Sequence, residues 1–190
     1  MLSQLNKETH SDKGTHHSYI DMYYEATFLP LKEKTNVVVE IGVCYGNSMR
    51  LWHDYFLNAT IYGIDKGPRS HSPRWQLNQN NNRCKIIKGN SNDISTYKEI
   101  PNDIDIVIDD GSHRIQDQLN SFNILYPKLK KDGVYVIEDI QDIDSTIKQF
   151  KDLENSHKVT VKIFDFRSLK NIKDDVIVEI KKYEFINRKI

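Results

Sequence analysis

The sequence predicts an α/β fold on a seven-stranded, mostly parallel sheet with helices on both faces, and three observations carry that prediction. Short β-branched apolar runs recur, among them Val37–Gly42, Thr60–Asp65 and Asp105–Asp110, each bounded by turn residues. Such runs read as strands buried on both faces. Stretches with apolar residues at helical spacing stand between them. The last two β-rich runs, Val159–Phe166 and Val176–Lys182, follow one another without a clear helix, so they are expected to pair as an antiparallel hairpin at one sheet edge. The plan is five βα units and a terminal hairpin in a single domain, 1–190, with 1–34 as an N-terminal helical cap or lid.

The whole-chain chemistry narrows the function. Lys plus Arg and Asp plus Glu both number 27, so the net charge is zero and gives no reason to expect nucleic acid or an anionic membrane as partner. The two cysteines, Cys44 and Cys84, form no metal-binding or disulfide pattern, which fits a reducing compartment. There is no long apolar run and no hydrophobic core of a secretory signal near Met1. A cytoplasmic protein is expected.

Taken in order, Asp12–His17 is a polar stretch ahead of an aromatic one. Tyr19, Tyr23 and Ala26 recur at helical spacing up to Pro30, a stripe expected to pack, while the polar residues just before it are placed to fold over the sheet mouth as a lid. Val37–Gly42 is the first strand. It turns through Gly42, Cys44 and Gly46 into a helix whose Leu51, Trp52, Tyr55 and Phe56 share one face. Gly42 and Gly46 suit a turn where backbone approaches a ligand. The second strand, Thr60–Asp65, ends in an acid placed to accept both hydroxyls of a ribose, and together with the glycine turn it points to an adenosine-containing cofactor.

The polar loop 67–83 carries Trp75, which either stacks on a substrate or covers the core. Strand three, Cys84–Lys88, leads into Asn90, Ser91, Asn92 and Asp93, which either meet an adenine edge or cap the next helix. Strand four ends in Asp109-Asp110-Gly111-Ser112-His113. The following helix, marked by Ile115, Leu119, Phe122, Leu125 and Leu129, is expected to close at Lys130, Lys131 and Gly133. Tyr135–Asp139 is strand five and ends in Glu138 and Asp139. Neighbouring strand ends lie about 4.8 Å apart, a spacing that suits a divalent cation held by oxygens at about 2.0 to 2.6 Å. The last helix is marked by Ile143, Ile147, Phe150 and Leu153.

Glu40-Ile41-Gly42-Val43 with Gly46 and Ser48, then Trp52, Tyr55-Phe56, Gly63-Ile64-Asp65, Asp109 to His113 and Tyr135 to Asp139 together resemble class I S-adenosylmethionine-dependent methyltransferases. Within that class they are similar to metal-dependent macrolide-sugar O-methyltransferases of the mycinamicin type, over roughly Asp12 to Asp139. The general Glu-x-Gly-x-Gly-x-Gly pattern is interrupted here by Cys44. The resemblance implies a Rossmann-like fold and an S-adenosylmethionine site drawn from Lys13, Tyr19, Glu40, Gly42, Gly46, Ser48, Asp65, Asn90, Ser91, Asn92 and Asp109. It also implies Mg2+ or another divalent cation on Asp110, Glu138 and Asp139, with His113 as general base. A nearby cation would lower the His113 pKa. The implied acceptor is a hydroxyl of a sugar or glycosylated small molecule, and a homo-oligomer is compatible. Another small-molecule or nucleotide hydroxyl and a catalytically silent cofactor-binding protein stay open as alternatives. A nicotinamide enzyme would share Asp65 but wants Gly-x-Gly-x-x-Gly after strand one, which this turn does not supply.

Overall fold

β-branched side chains favour the pleated, two-sided environment of a central sheet, and the predicted runs form one. The computed structural model describes residues 1–67 and 82–182. Its strands are β1 Val37–Ile41, β2 Thr60–Asp65, β3 Cys84–Lys88, β4 Ile104–Asp109, β5 Leu129–Ile137, β6 Val159–Asp165 and β7 Val176–Lys182. They lie in the order β3-β2-β1-β4-β5-β7-β6. The first five are parallel, and β7 runs antiparallel to both β5 and β6. The terminal pair is thus inserted with β7 inside and β6 at the edge. Among the described residues no helix is long and apolar enough to cross a membrane.

Successive strand residues point to opposite faces, and two cores result. On one face Val38, Ile61, Ile108 and Val136 meet the N-terminal segment and helix α4, Asn47–Tyr55. On the other, Val39, Ile64, Val107 and Ile137 meet Phe122 and Leu125 of the helix Ile115–Leu125 that follows β4. The N-terminal segment begins with α1 (Leu2–Thr9), α2 (Asp12–Thr15) and α3 (Glu25–Phe28). It contributes Leu2, Tyr19, Tyr23, Tyr24 and Phe28, all buried. Phe28 sits 4.8 Å from Tyr24, 5.6 Å from Trp52 and 5.5 Å from Phe56, ring to ring. A π-helical turn over Ile20–Tyr24 precedes α3. Its extra residue per turn brings Tyr23 and Tyr24 inward together. Ala26, expected on the buried stripe, is left exposed.

A second expectation also moves. Helix α5, Ile115–Leu125, ends in a 3-10 turn at Tyr126–Lys128, so Lys130, Lys131 and Gly133 belong to β5 rather than to a helix stop. Pro127 has no N–H to continue the helix. A Cβ on Gly133 would lie 2.9 Å from the Ile104 carbonyl oxygen, where the β4–β5 register shifts. Trp75, expected to stack on a substrate or cover the core, lies outside the described residues.

Register fixes where the site can be. Ile41 pairs Asp109 and Asp109 pairs Ile137, so Gly42, Asp110 and Glu138 each stand one step beyond three adjacent strands. The sheet order reverses between β1 and β4, the switch point where open α/β sheets bind ligands. Gly42 has φ +91°, and a Cβ there would lie 1.9 Å from the Asp110 backbone oxygen. Its glycine is therefore required by the neighbouring strand end, not only by a ligand. Gly42→Ala is expected to cost about 3 kcal/mol or more through backbone strain and overlap. Urea denaturation checks this, and an unchanged midpoint would contradict it.

Candidate active site

Gly46, at φ 77°, is the N-cap of α4 and closes the turn after β1. That turn, Gly42–Tyr45, forms one wall of two adjoining cavities. The smaller, about 150 Å³, is lined by Ile41, Gly42, Asp65, Gly89, Ser91 and Ser112. The larger, about 370 Å³, is lined by His10, Asp12 and Thr15 from the N-terminal segment and reaches Asp110, His113 and Asp139. Gly42, Asp65 and Gly111 belong to both, which makes them one cleft across the carboxyl ends of β1, β2 and β4.

Asp65 sits at its rim. Its Oδ2 accepts the N–H groups of Val43 at 2.9 Å and Cys44 at 3.0 Å, and its Oδ1 accepts Gly67 N–H at 2.8 Å. A carboxylate has about four acceptor positions, so a diol fits a group already held in place by the loop. Gly42, Ser48, Asp65 and Ser91 of the expected cofactor set line the cleft. Asn90 Oδ1 accepts Asn92 N–H within the loop, and the Asn92 side chain donates to Asp117 on α5 at 2.5 Å. Asp93 caps the following turn by accepting Ser95 N–H at 2.8 Å.

Lys13, Tyr19, Glu40 and Asp109 lie beneath the cleft, all buried. Glu40 Oε1 accepts Trp52 Nε1–H at 3.1 Å, and burial pushes its carboxyl up to about 7. Asp109 accepts Gly111 N–H at 3.3 Å and Tyr135 O–H at 3.3 Å, and burial likewise lifts it to about 7. Lys13 Nζ donates to Asp110 Oδ2 at 2.6 Å and to Glu138 Oε2, with Glu40 Oε1 at 3.7 Å. Burial opposes its charge, but Asp110, Glu138 and Glu40 outweigh that and hold it well above its usual range. Tyr19 O–H donates to Asp139 Oδ1 at 2.7 Å. Its ring stacks on His17 at 4.8 Å, and His17 stands 3.5 Å from both Asp139 and Asp175. Lys13 and Tyr19 are thus bonded to acids rather than lining the cofactor cavity.

Among the expected metal ligands the structure separates Glu138 from the others. Asp110, His113 and Asp139 bring one ligand atom each to within 4.8 Å of one another. That span matches donors gathered on one hard cation at about 2.0 to 2.6 Å. Glu138 instead bonds Lys13 and the Tyr24 hydroxyl with its two oxygens. Burial pushes Glu138 upward, Lys13 opposes this, and Asp110 and Asp139 reinforce it. His113 Nε2 lies 3.2 Å from Asp110 Oδ1 and 3.7 Å from Asp139 Oδ2. His113 and Asp139 both adopt positive φ, 57° and 53°, conformations that cost free energy and cluster at functional sites. Sequence reasoning missed His17, Tyr24 and Asp175 as supports of the site. Only the polar stretch ahead of Tyr19 signalled any of them.

The fold and these strand ends define a class. Residues 39–140, more than half of the chain, match the family described as "Methyltransferase domain", and the chain belongs to that family. It is 33% identical over 141 residues to 8-demethyl-8-alpha-L-rhamnosyl tetracenomycin-C 2'-O-methyltransferase of Streptomyces olivaceus, covering 69% of this chain and 35% of that protein. It is 32% identical over 149 residues to mycinamicin VI 2''-O-methyltransferase of Micromonospora griseorubida, covering 73% of this chain and 36% of that one. The chain spans little more than a third of the length of these relatives. Among solved structures, the MycE methyltransferase of mycinamycin biosynthesis, in complex with Mg, SAH and mycinamycin VI, superposes with a TM-score of 0.76. The identity is 24%, over 100% of this chain and 56% of MycE. The fold is the Rossmann-like one of class I methyltransferases.

The hydrogen bond to Asp110 raises the His113 pKa, opposite in sign to the lowering that a bound cation would impose. The stability that His113 contributes is therefore fully present below its unfolded pKa of about 6.5 and is lost as pH rises through the folded value. In chelator, the stability difference between wild type and His113→Gln is expected to be largest below about pH 6.5 and to shrink above it. Denaturation midpoints across pH check this, and a difference that grows with pH would contradict it.

Proposed function

We propose that this chain is an S-adenosylmethionine-dependent O-methyltransferase, using Mg2+ or another divalent cation, whose acceptor is a hydroxyl of a sugar or glycosylated small molecule. One observation carries the reading: Asp110, His113 and Asp139 share a cavity with Gly42 and Asp65. A base and two acids thus face the groups suited to the cofactor. The relatives named as O-methyltransferases of rhamnosyl tetracenomycin and mycinamicin VI support the acceptor class, and MycE in complex with Mg and SAH supports both small ligands. Cys44 and Cys84, which are not disulfide-bonded, suit the cytoplasm as the place of action.

Methyl transfer is an in-line displacement, so the protein's main task is alignment. When bound, the cofactor supplies an electrophilic methyl group and the cation supplies positive charge that lowers the pKa of an adjacent hydroxyl. Asp65 accepts the ribose diol. Gly42 keeps a side chain away from the Asp110 strand end. Asp110 and Asp139 hold the cation, and Tyr19 and His17 fix the orientation of Asp139 from behind. His113, whose Nε2–H donates to Asp110 Oδ1 when the ring is neutral, takes the acceptor proton at Nδ1 as the oxygen attacks. It must be neutral to do so, and the turnover rate rises with pH as the imidazolium is deprotonated.

Calorimetry with S-adenosylhomocysteine and NAD, with and without Mg2+, tests the cofactor. Binding of the first alone is expected, weakened by about 1.5 to 3 kcal/mol in Asp65→Ala. NAD binding, or unchanged affinity in the folded variant, would overturn the assignment. Once an acceptor has been found, His113→Ala should slow single-turnover methylation by about 10² to 10⁴ with cofactor affinity nearly intact. A wild-type rate in the folded variant would remove His113 from the mechanism.

A further inference from the structure

We propose that Lys13 fills the inner half of the acid cluster as its resident cation, so that a divalent ion is held by Asp110 and Asp139 and not by Glu138. This rests on the metal-assisted reading above. Four acids, Glu40, Asp110, Glu138 and Asp139, stand at the ends of β1, β4 and β5. The Lys13 ammonium, fully buried on the Ser11-capped helix α2, has three donors. Two are used on Asp110 Oδ2 and Glu138 Oε2, and the third side faces Glu40.

The oxygen bookkeeping divides the cluster. Glu138 has Oε2 on Lys13 and Oε1 on the Tyr24 hydroxyl. Both oxygens are turned to buried donors, and Glu138, unlike Asp110 and Asp139, does not line the larger cavity. Asp110 faces both halves, with Oδ2 toward Lys13 and Oδ1 toward His113. Asp139 Oδ1 takes the Tyr19 hydroxyl, and its Oδ2 turns to the same side as His113. The outer half thus offers Asp110 Oδ1 and Asp139 Oδ2. Lys13 fills the inner half and holds Glu138 there.

The test is Mn2+ affinity of the cofactor-free protein, measured by calorimetry and by loss of the free-ion paramagnetic resonance signal. The decisive variant is charge-balanced: Lys13→Met with Glu138→Gln removes one positive and one negative charge together. Its Mn2+ affinity is expected to stay within about threefold of wild type, while Asp139→Asn loses tenfold or more; in free energy that is about 0.7 against at least about 1.4 kcal/mol. A double variant as weak as Asp139→Asn, beside a wild type that binds, would make Glu138 a ligand and overturn this inference alone. No Mn2+ binding by the wild type at millimolar concentration would overturn the metal reading as well. If the double variant does not fold, Glu138→Gln alone decides: a smaller loss than in Asp139→Asn supports the inference, and an equal or larger one overturns it.

Discussion

The structure depends on one buried ion cluster. β-sheet register puts Glu40 and Glu138, both buried, and the half-buried Asp110 at the ends of three adjacent strands. Carboxylates so close and so buried repel one another and lose hydration. The fold resolves this with the Lys13 ammonium and the donors of Tyr24 and Trp52. Removing one partner of such a buried pair typically costs about 3 to 5 kcal/mol, because the other charge is left uncompensated. The N-terminal segment is therefore part of the sheet's own chemistry. Lys13 delivers the cation, and the tyrosines beyond it make the core contacts that hold the segment in place.

The same constraint shapes the backbone around the cleft. Gly42 lies against the Asp110 carbonyl, and Asp110 in turn offers its two side-chain oxygens to Lys13 and His113. The left-handed residues His113 and Asp139 sit on the two turns that leave β4 and β5. Such turns bend the chain sharply enough to bring an imidazole and a carboxylate back over the strand ends. Two layers result: a lower one of buried, paired charges, and an upper one in which Asp110, Asp139 and His113 line the larger cavity. The lower layer gives the upper one fixed geometry, which an alignment-limited reaction requires.

Much of this was legible in the sequence because strand periodicity and strand ends are local signals. The β-branched runs gave the strands, and the acids after them gave Asp65, Asp110 and Asp139 their places at the cleft. What was not legible depended on distant contacts. The resemblance put Lys13 in the cofactor set, but its bonds to residues 97 and 125 positions away have no local signal. Glu138 and Asp139 are neighbours in sequence just past β5, and the left-handed backbone of Asp139 accompanies their different surroundings, one facing Lys13 and the other the cavity. The π turn at Ile20–Tyr24 defeated a fixed 3.6-residue period at Ala26, and Pro127 with the shifted β4–β5 register moved a helix stop into a strand.

The central claim is that one cleft holds an adenosine-containing methyl donor on the Asp65 side and a divalent ion on the Asp110 and Asp139 side. A crystal structure grown with S-adenosylhomocysteine and Mn2+, with data collected at the manganese absorption edge, tests it most directly. The account predicts a single anomalous peak bonded to Asp110 Oδ1 and Asp139 Oδ2, Lys13 still on Glu138, and the ribose hydroxyls on Asp65. A peak bonded to Glu138 in place of Lys13, or a nucleoside lying away from Asp65, would contradict it.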